Sequence, residues 1–133
     1  MRPNRVANYL LDTNVFILTL RGVSNALDFL DAINQEKERL YISVVTRTEI
    51  LAGMRPHEEH RTMELLDTVT SLPADEAIAD QAGRLIYLDA RQGIHLSFPD
   101  ALIAATALQH NFTLVTTNIK HFPMPDLKLQ QLK

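Results

Sequence analysis

The stretch Leu-Leu-Asp-Thr-Asn-Val-Phe-Ile, residues 10–17, contains the transition that decides the fold. The apolar run Tyr9–Leu11 predicts a buried strand, and the residues after it predict a helix. Asp12 stands at the junction between the two. Because open α/β folds bind ligands at the carboxyl ends of their strands, we expect the Asp12 carboxylate at a ligand-binding edge. The alternative is that Asp12 or Asn14 only caps the helix.

Three other segments predict strands. The runs Leu40–Val44 and Phe112–Thr116 are largely apolar rather than alternating, which is typical of strands covered on both faces. The tail Leu127–Leu132 alternates apolar and polar residues and predicts a last edge strand with one solvated face.

Helical patterns lie between the predicted strands. They are a helix capped by Ser24, a segment Pro56–Leu72, a segment Asp75–Gln92 followed by Gly93, and a helix capped by Ser97. Helices interleaved with buried strands predict a three-layer α/β/α sandwich with a mainly parallel central sheet. The length of 133 residues suits one domain, so we expect residues 1–133 to form a single unit.

Composition limits the possible functions. Hydrophobic residues make up 46% of the chain and charged residues 22%, as in ordinary globular proteins. The net charge of -3 gives no overall attraction to a phosphate backbone, so nucleic-acid binding needs a local basic patch or bound cations. The chain has no cysteine, which excludes disulfides, thiolate ligands and a cysteine nucleophile. Asp12 and Asn14 interrupt the apolar stretch Tyr9–Leu20, so we expect neither a signal peptide nor a membrane span, and a cytoplasmic protein.

Glu49, Asp100 and Asn118 follow other strands or begin other helices. Each also has a structural interpretation. Glu49 ends a Thr-x-x-Glu capping box that begins at Thr46, Asp100 stands at the third position of the helix capped by Ser97, and Asn118 suits a turn.

The coincidence of these acids favours a metal site. Three separate junctions each deliver a carboxylate to one edge of one sheet, and clustered carboxylates normally persist because a cation neutralises them. Oxygen ligands indicate Mg²⁺ or Mn²⁺, which can promote phosphodiester hydrolysis without a protein nucleophile. We expect Asp12 and Asp100 to be the main metal ligands. Glu49 would hold a second ion or orient the attacking water, and Asn118 would position water or substrate.

Four segments in order also carry a family resemblance. They are Leu-Leu-Asp-Thr-Asn-Val-Phe-Ile (10–17), Thr-Glu-Ile-Leu-Ala-Gly (48–53), Pro-Asp-Ala-Leu-Ile-Ala-Ala-Thr-Ala-Leu (99–108) and Leu-Val-Thr-Thr-Asn-Ile-Lys-His-Phe (114–122). Together they resemble the VapC-like PIN-domain toxins of type II toxin–antitoxin pairs. Asp12, Glu49 and Asp100 match the acidic positions of that family, and Asn118 stands where a further acid is common.

The resemblance implies a Mg²⁺- or Mn²⁺-dependent endoribonuclease, often a homodimer, silenced by a cognate antitoxin that occupies its acidic cleft. The alternative is a catalytically silent PIN-like module that binds RNA or a protein partner. An aspartate-nucleophile phosphatase is disfavoured because Asn14 stands where its second acid is needed.

Some remaining polar residues are candidate phosphate contacts. Among the cations Arg21, Arg47, Arg91 and Lys120, the sequence favours Arg47 and Lys120. No histidine is paired with a cysteine or an acid at zinc-ligand spacing, and His57 and His60 share a charged helix face, so we expect the histidines to be solvated surface residues.

Overall fold

The computed structural model describes residues 8–35 and 39–132, without the side chains of residues 34 and 35. Its strands are β1 (Asn8–Leu11), β2 (Arg39–Ser43), β3 (Thr70–Leu72), β4 (Thr113–Thr116) and β5 (Leu129–Gln131). Its helices are α1 (Thr13–Leu20), α2 (Ser24–Gln35), α3 (Val44–Gly53), α4 (Glu59–Leu66), α5 (Glu76–Arg91) and α6 (Phe98–His110). Short 3₁₀ turns cover Pro56–Glu58 and Ile119–His121.

The five strands form one parallel sheet in the order β3-β2-β1-β4-β5. The chain builds outward from β1 to β3 on one side and then crosses to β4 and β5 on the other. The strand order therefore reverses between β1 and β4, and ligands of open α/β sheets bind at such a switch point. The predicted α/β sandwich with a parallel sheet is confirmed.

Successive residues of the central strands face opposite sides of the sheet. Leu10 and Leu114 are fully buried in a core formed with α5 and α6. Leu11 and Val115 pack instead in a second core with residues of α1, α2, α3 and α4. Because both faces are covered, these strands consist of consecutive apolar residues, as predicted.

Helix α6 packs closely on the sheet because its inner face is lined with small side chains. Its fully buried alanines are Ala101, Ala104, Ala105 and Ala107. Ser97 caps the helix as predicted, with its Oγ accepting from the Asp100 N–H at 3.3 Å. This cap holds the first turn of α6, and with it Asp100, at the carboxyl edge of the sheet.

The helix predicted over Pro56–Leu72 is wrong in its extent. The segment Pro56–Leu72 is not one helix, because α4 ends at Leu66 and Thr70–Leu72 forms edge strand β3, which pairs with residues 41–43 of β2. Apolar residues keep their helical spacing across the turn between α4 and β3, so the sequence pattern does not distinguish β3 from a helix. Its pairing with β2 is what shows that it is a strand.

The Thr46 capping box is wrong as well. Helix α3 already begins at Val44, and Ser43 is its cap, with its Oγ accepting from the Val45 N–H at 3.0 Å. Glu49 therefore lies in the body of α3, so capping does not explain its carboxylate.

The remaining elements lie where the sequence predicts them but with shifted ends, since the strand predicted over Leu40–Val44 ends at Ser43 and the one predicted over Leu127–Leu132 covers only Leu129–Gln131. Asp75 caps α5, Gly93 follows its end at φ +75°, and β5 forms the other sheet edge. Ser24, expected as a cap, is the first residue of α2. None of the helices in the described part of the chain has both the length and the apolar character that a membrane span requires.

Candidate active site

Asp12 occupies the switch point between β1 and β4. It directly follows β1 and is only 7% exposed. Its Oδ1 accepts from the Thr13 N–H at 2.8 Å and its Oδ2 from the Thr116 hydroxyl at 2.9 Å, while its own N–H donates to Val115 O at 2.9 Å. The Asp12 carboxylate therefore caps α1, and it does so at the switch point where a ligand site is expected.

The pKa of Asp12 is raised above its ordinary value. Burial is the largest cause, since it disfavours the charged form, and the negative charges of Asp100 and Glu49 raise the pKa further. The hydrogen bonds from Thr116 and from the Thr13 backbone act in the opposite direction. Asp100 and Glu49 therefore both lie close enough to Asp12 to act on it electrostatically.

Glu49 is exposed on α3 and is held by a threonine next to Asp12. The Thr13 hydroxyl donates to Glu49 Oε1 at 2.7 Å and lies 3.0 Å from the Thr46 hydroxyl. Sequence reasoning missed Thr13 and assigned Thr46 to a cap. The position of Thr13 next to Asp12 was the available signal. Only the packing of α1 against α3 shows that the Thr13 hydroxyl bonds to Glu49.

Asn118 has the turn role that the sequence offered as an alternative. Its Oδ1 accepts from the Lys120 N–H at 3.2 Å, at the start of the turn Ile119–His121. Its own N–H donates to Thr116 Oγ1 at 3.1 Å. Asn118 is therefore tied through Thr116 to the Asp12 carboxylate.

Thr116 is the central residue that sequence analysis did not select. It is fully buried at the end of β4, and its hydroxyl joins Asp12 to the Asn118 backbone. A hydroxyl at the carboxyl end of an apolar strand was the signal that marked it.

If Asp12 binds the metal ion that the sequence predicts, we expect Thr116→Val to reduce the predicted ribonuclease activity by about 10- to 100-fold, the usual effect of removing a hydrogen-bond partner of a metal ligand. Valine has a similar shape but leaves Asp12 Oδ2 and the Asn118 N–H without this partner. Thr116→Ser keeps the hydroxyl and should restore most of the activity. The matched control is Thr106→Val, a fully buried threonine whose hydroxyl bonds to Leu102 O within α6. Equal losses in Thr116→Val and Thr106→Val would indicate a general packing effect and contradict this role.

The donor chemistry of the site fits a divalent cation. Three carboxylates offer oxygen donors, and a cation would stabilise the charged form of Asp12, which burial and the nearby negative charges of Asp100 and Glu49 disfavour, raising its pKa. Within residues 8–35 and 39–132, however, no three acidic or histidine side chains are clustered tightly enough to hold a metal ion as they stand. Glu49 is exposed and bonded to Thr13, so its side chain would have to turn for it to join Asp12 and Asp100 as a ligand.

Two of the predicted phosphate contacts are engaged elsewhere. Arg47 Nη1 donates to Ser71 Oγ on edge strand β3 at 3.3 Å. Arg91 donates to the Tyr87 hydroxyl at 3.2 Å and lies 5.5 Å from the centre of that ring.

Two other cations lie in cavities that include the acids. Arg21 and Glu49 line one cavity, and Lys120 and Asp100 line another. Lys120 therefore remains a candidate phosphate contact, whereas the structure gives Arg47 a structural partner.

The chain belongs to the PIN domain family, whose pattern matches residues 9–123. Among curated relatives, Ribonuclease VapC10 of Mycobacterium tuberculosis is 39% identical over 124 residues, which cover 93% of this chain and 90% of that protein. The family resemblance of the four motifs is thus confirmed.

Solved structures agree with this assignment. A toxin–antitoxin complex from Klebsiella pneumoniae contains a chain that is 29% identical, with a TM-score of 0.77 and coverage of 94% of this chain and 98% of that one. VapBC2 from Rickettsia felis, bound to a promoter DNA fragment, matches with a TM-score of 0.83 at 21% identity, covering 95% of this chain and 99% of that one. The second likeness concerns the fold alone.

Proposed function

We propose that this protein is a metal-dependent endoribonuclease that acts as the toxin of a toxin–antitoxin pair. The observation that carries the proposal is the buried Asp12 carboxylate at the sheet switch point, with Asp100 and Glu49 near enough to raise its pKa. The curated relative VapC10 is a ribonuclease by name, and the Klebsiella relative is part of a toxin–antitoxin complex. We infer that residues 1–133 act as one PIN-like domain in the cytoplasm.

The proposed cofactor is Mg²⁺ or Mn²⁺, held by Asp12 and Asp100 with Glu49 as a third ligand. When bound, such an ion supplies Lewis-acid stabilisation of phosphate charge and a water of lowered pKa. Asp12 is the best-held ligand, since hydrogen bonds from α1 and β4 orient both of its oxygens. Asn118 would position water or substrate through its amide nitrogen, because its oxygen bonds to the Lys120 N–H.

The test is cleavage of total RNA by the purified protein with Mg²⁺ or Mn²⁺, with an excess of chelator in a parallel reaction. We expect cleavage with the metal ion and none when the chelator removes it. Mapping the ends of the RNA fragments identifies the RNA target. Undiminished cleavage in the chelator would contradict the metal mechanism. RNA binding without cleavage would favour the catalytically silent module.

The toxin assignment has its own test. We expect expression of the chain to arrest growth and co-expression of a small protein encoded beside it to restore growth. Growth unaffected by a protein that cleaves RNA in vitro would contradict the toxin role and leave the nuclease role intact.

Metal binding should also appear as added stability that depends on pH. We expect Mn²⁺ at about 100 times its Kd to raise the free energy of unfolding by about 2.7 kcal/mol. Protons compete with the metal for Asp12, whose pKa is raised, so this gain should be full above that pKa and disappear as the pH falls through it. Thermal melts with and without metal at several pH values measure it, with Asp12→Asn as the variant that should show no gain.

The metal-free protein should behave in the opposite way. Folded Asp12 retains its proton to a higher pH than unfolded Asp12 does. Its ionisation therefore lowers the free energy of unfolding as the pH rises from the pKa of unfolded Asp12 through the pKa of folded Asp12. A metal effect that is constant with pH would contradict the assignment of Asp12 as a ligand.

The homodimer expected from the resemblance remains a prediction. Large apolar side chains are exposed near the end of α5 and at the start of α6, with Phe98 75% exposed. We expect light scattering to give twice the 15.1 kDa of one chain, and Phe98→Asp to shift the protein towards the monomer. A wild-type mass of one chain at micromolar concentration would contradict the dimer.

A further inference from the structure

A cavity of about 260 Å³ adjoins the candidate active site on its Asp100 side. It is lined by Ser97 and Asp100 from the start of α6, by His95 from the preceding loop, and by Lys120 and His121 from the turn after β4. We name it the Lys120 cavity. It contains none of the other proposed ligands, so it extends the site beyond the three carboxylates.

The Lys120 cavity has fewer acidic groups than the cavity on the Glu49 side. Asp100 is its one acidic lining residue, beside one lysine and two imidazoles, whereas the smaller cavity on the Glu49 side is lined by two glutamates and one arginine. In the described part of the chain, no hydrogen bond or ion pair occupies the side chains of Lys120, His95 or His121. The partial positive charge at the start of α6 adds to the charge of Lys120. In a protein of net charge -3, such a local positive group can attract a phosphate backbone that the protein as a whole does not.

The walls of the cavity suit a base as well as a phosphate. Ile94, Leu96 and Pro123 supply apolar surface beside the imidazoles. Single-stranded RNA is recognised by stacking of unpaired bases on histidine and aromatic rings, together with cationic contacts to the backbone. The volume of about 260 Å³ is just below the usual range for small-molecule pockets, which begins at about 300 Å³, so it suits one nucleotide rather than a duplex.

We propose that the Lys120 cavity binds the nucleotide of single-stranded RNA next to the scissile phosphate, with Lys120 on a phosphate and His95 or His121 against the base. This inference rests on the proposed ribonuclease function. Because Asp100 belongs to both the cavity and the acidic cluster, a nucleotide seated there brings the adjoining phosphate to the carboxylates. The cavity would therefore help to set which RNA position is cut.

The test measures the affinity of a fluorescein-labelled single-stranded RNA oligonucleotide in the Asp12→Asn background, which should bind without cutting. We expect Lys120→Ala to weaken RNA binding about tenfold. The slope of log affinity against log salt concentration, measured between about 50 and 200 mM salt, should fall by an amount equal to about one phosphate contact. The double variant His95→Ala/His121→Ala should weaken binding about tenfold with the salt dependence unchanged, since stacking is lost rather than charge.

The matched control is Lys128→Ala. Lys128 is also an exposed lysine, but it immediately precedes β5 and so lies at the amino edge of the sheet, opposite the site. It should leave both the affinity and the salt dependence close to those of the parent protein. In the otherwise wild-type enzyme, Lys120→Ala should raise KM about tenfold with kcat nearly unchanged.

The outcomes separate this proposal from the one on which it rests. If the wild-type protein cleaves RNA but Lys120→Ala binds as Lys128→Ala does, the Lys120 cavity is not a substrate site and the ribonuclease proposal stands. If the wild-type protein does not cleave and the Asp12→Asn variant does not bind RNA, both proposals fail. A selective loss in Lys120→Ala supports the cavity.

Discussion

Asp12→Asn is expected to lower the rate of RNA cleavage by about 10³-fold while the protein stays folded. Asparagine keeps the shape of the side chain but loses the charge that the proposed cation requires. The fold should persist because burial already disfavours the charged form of Asp12, whose pKa is raised. Asparagine can still accept one of the two hydrogen bonds that the carboxylate receives. Cleavage rates at saturating metal, together with thermal melts of both proteins, measure the two effects separately.

The control for this variant is Asp126→Asn. Asp126 is exposed in the turn before β5, outside the acidic cluster, and the same change of charge there should leave the rate within about twofold, as for ordinary surface substitutions. Asp100→Asn should resemble Asp12→Asn. Normal cleavage by either Asp12→Asn or Asp100→Asn would show that the proposed ligand assignment is wrong.

Leu114→Ala has the largest expected effect on stability. Leu114 is fully buried in β4, between β1 and β5, and packs in the core beneath α5 and α6. Truncation there removes apolar contacts and leaves a cavity, which costs about 2–5 kcal/mol. That is a large part of the stability of about 5–15 kcal/mol typical of a domain. Urea denaturation followed by circular dichroism measures the loss.

Leu27→Ala supplies the matched control. Leu27 lies on α2, away from the proposed dimer surface, and is 39% exposed, so the same truncation should change stability by no more than about 0.5 kcal/mol. Similar losses in Leu114→Ala and Leu27→Ala would contradict the placement of Leu114 in the core.

The central strands and the helix starting at Phe98 were predictable because their signals are local. Continuous apolar runs such as Phe112–Thr116 are typical of strands buried on both faces, and Ser97 with Pro99 marks the beginning of α6. Strand β3 was not predictable in this way. It has three residues, it follows a helix with only a short turn, and its pairing with β2 is a contact between distant parts of the chain.

In the candidate site, too, only the features with local sequence signals were predictable. The sequence by itself placed Asp12 at the end of a strand and Asp100 at the start of a helix, because both positions follow from local patterns. It also expected Glu49 at a helix start, whereas Glu49 lies in the body of α3. It left their capping roles open, and only the position of Ser43 at the start of α3 removed that role from Glu49.

The tertiary structure alone decided how these residues meet. The order β3-β2-β1-β4-β5 brings the ends of β1 and β4 together, so that Thr116 donates to Asp12 across 104 positions of the sequence. Packing of α1 against α3 likewise places Thr13 on Glu49. Local propensity carries no information about such contacts, because they depend on which strands pair and which helix faces pack. Sequence therefore selected the candidate acids around Asp12, and the fold determined which hydroxyl groups contact Asp12 and Glu49.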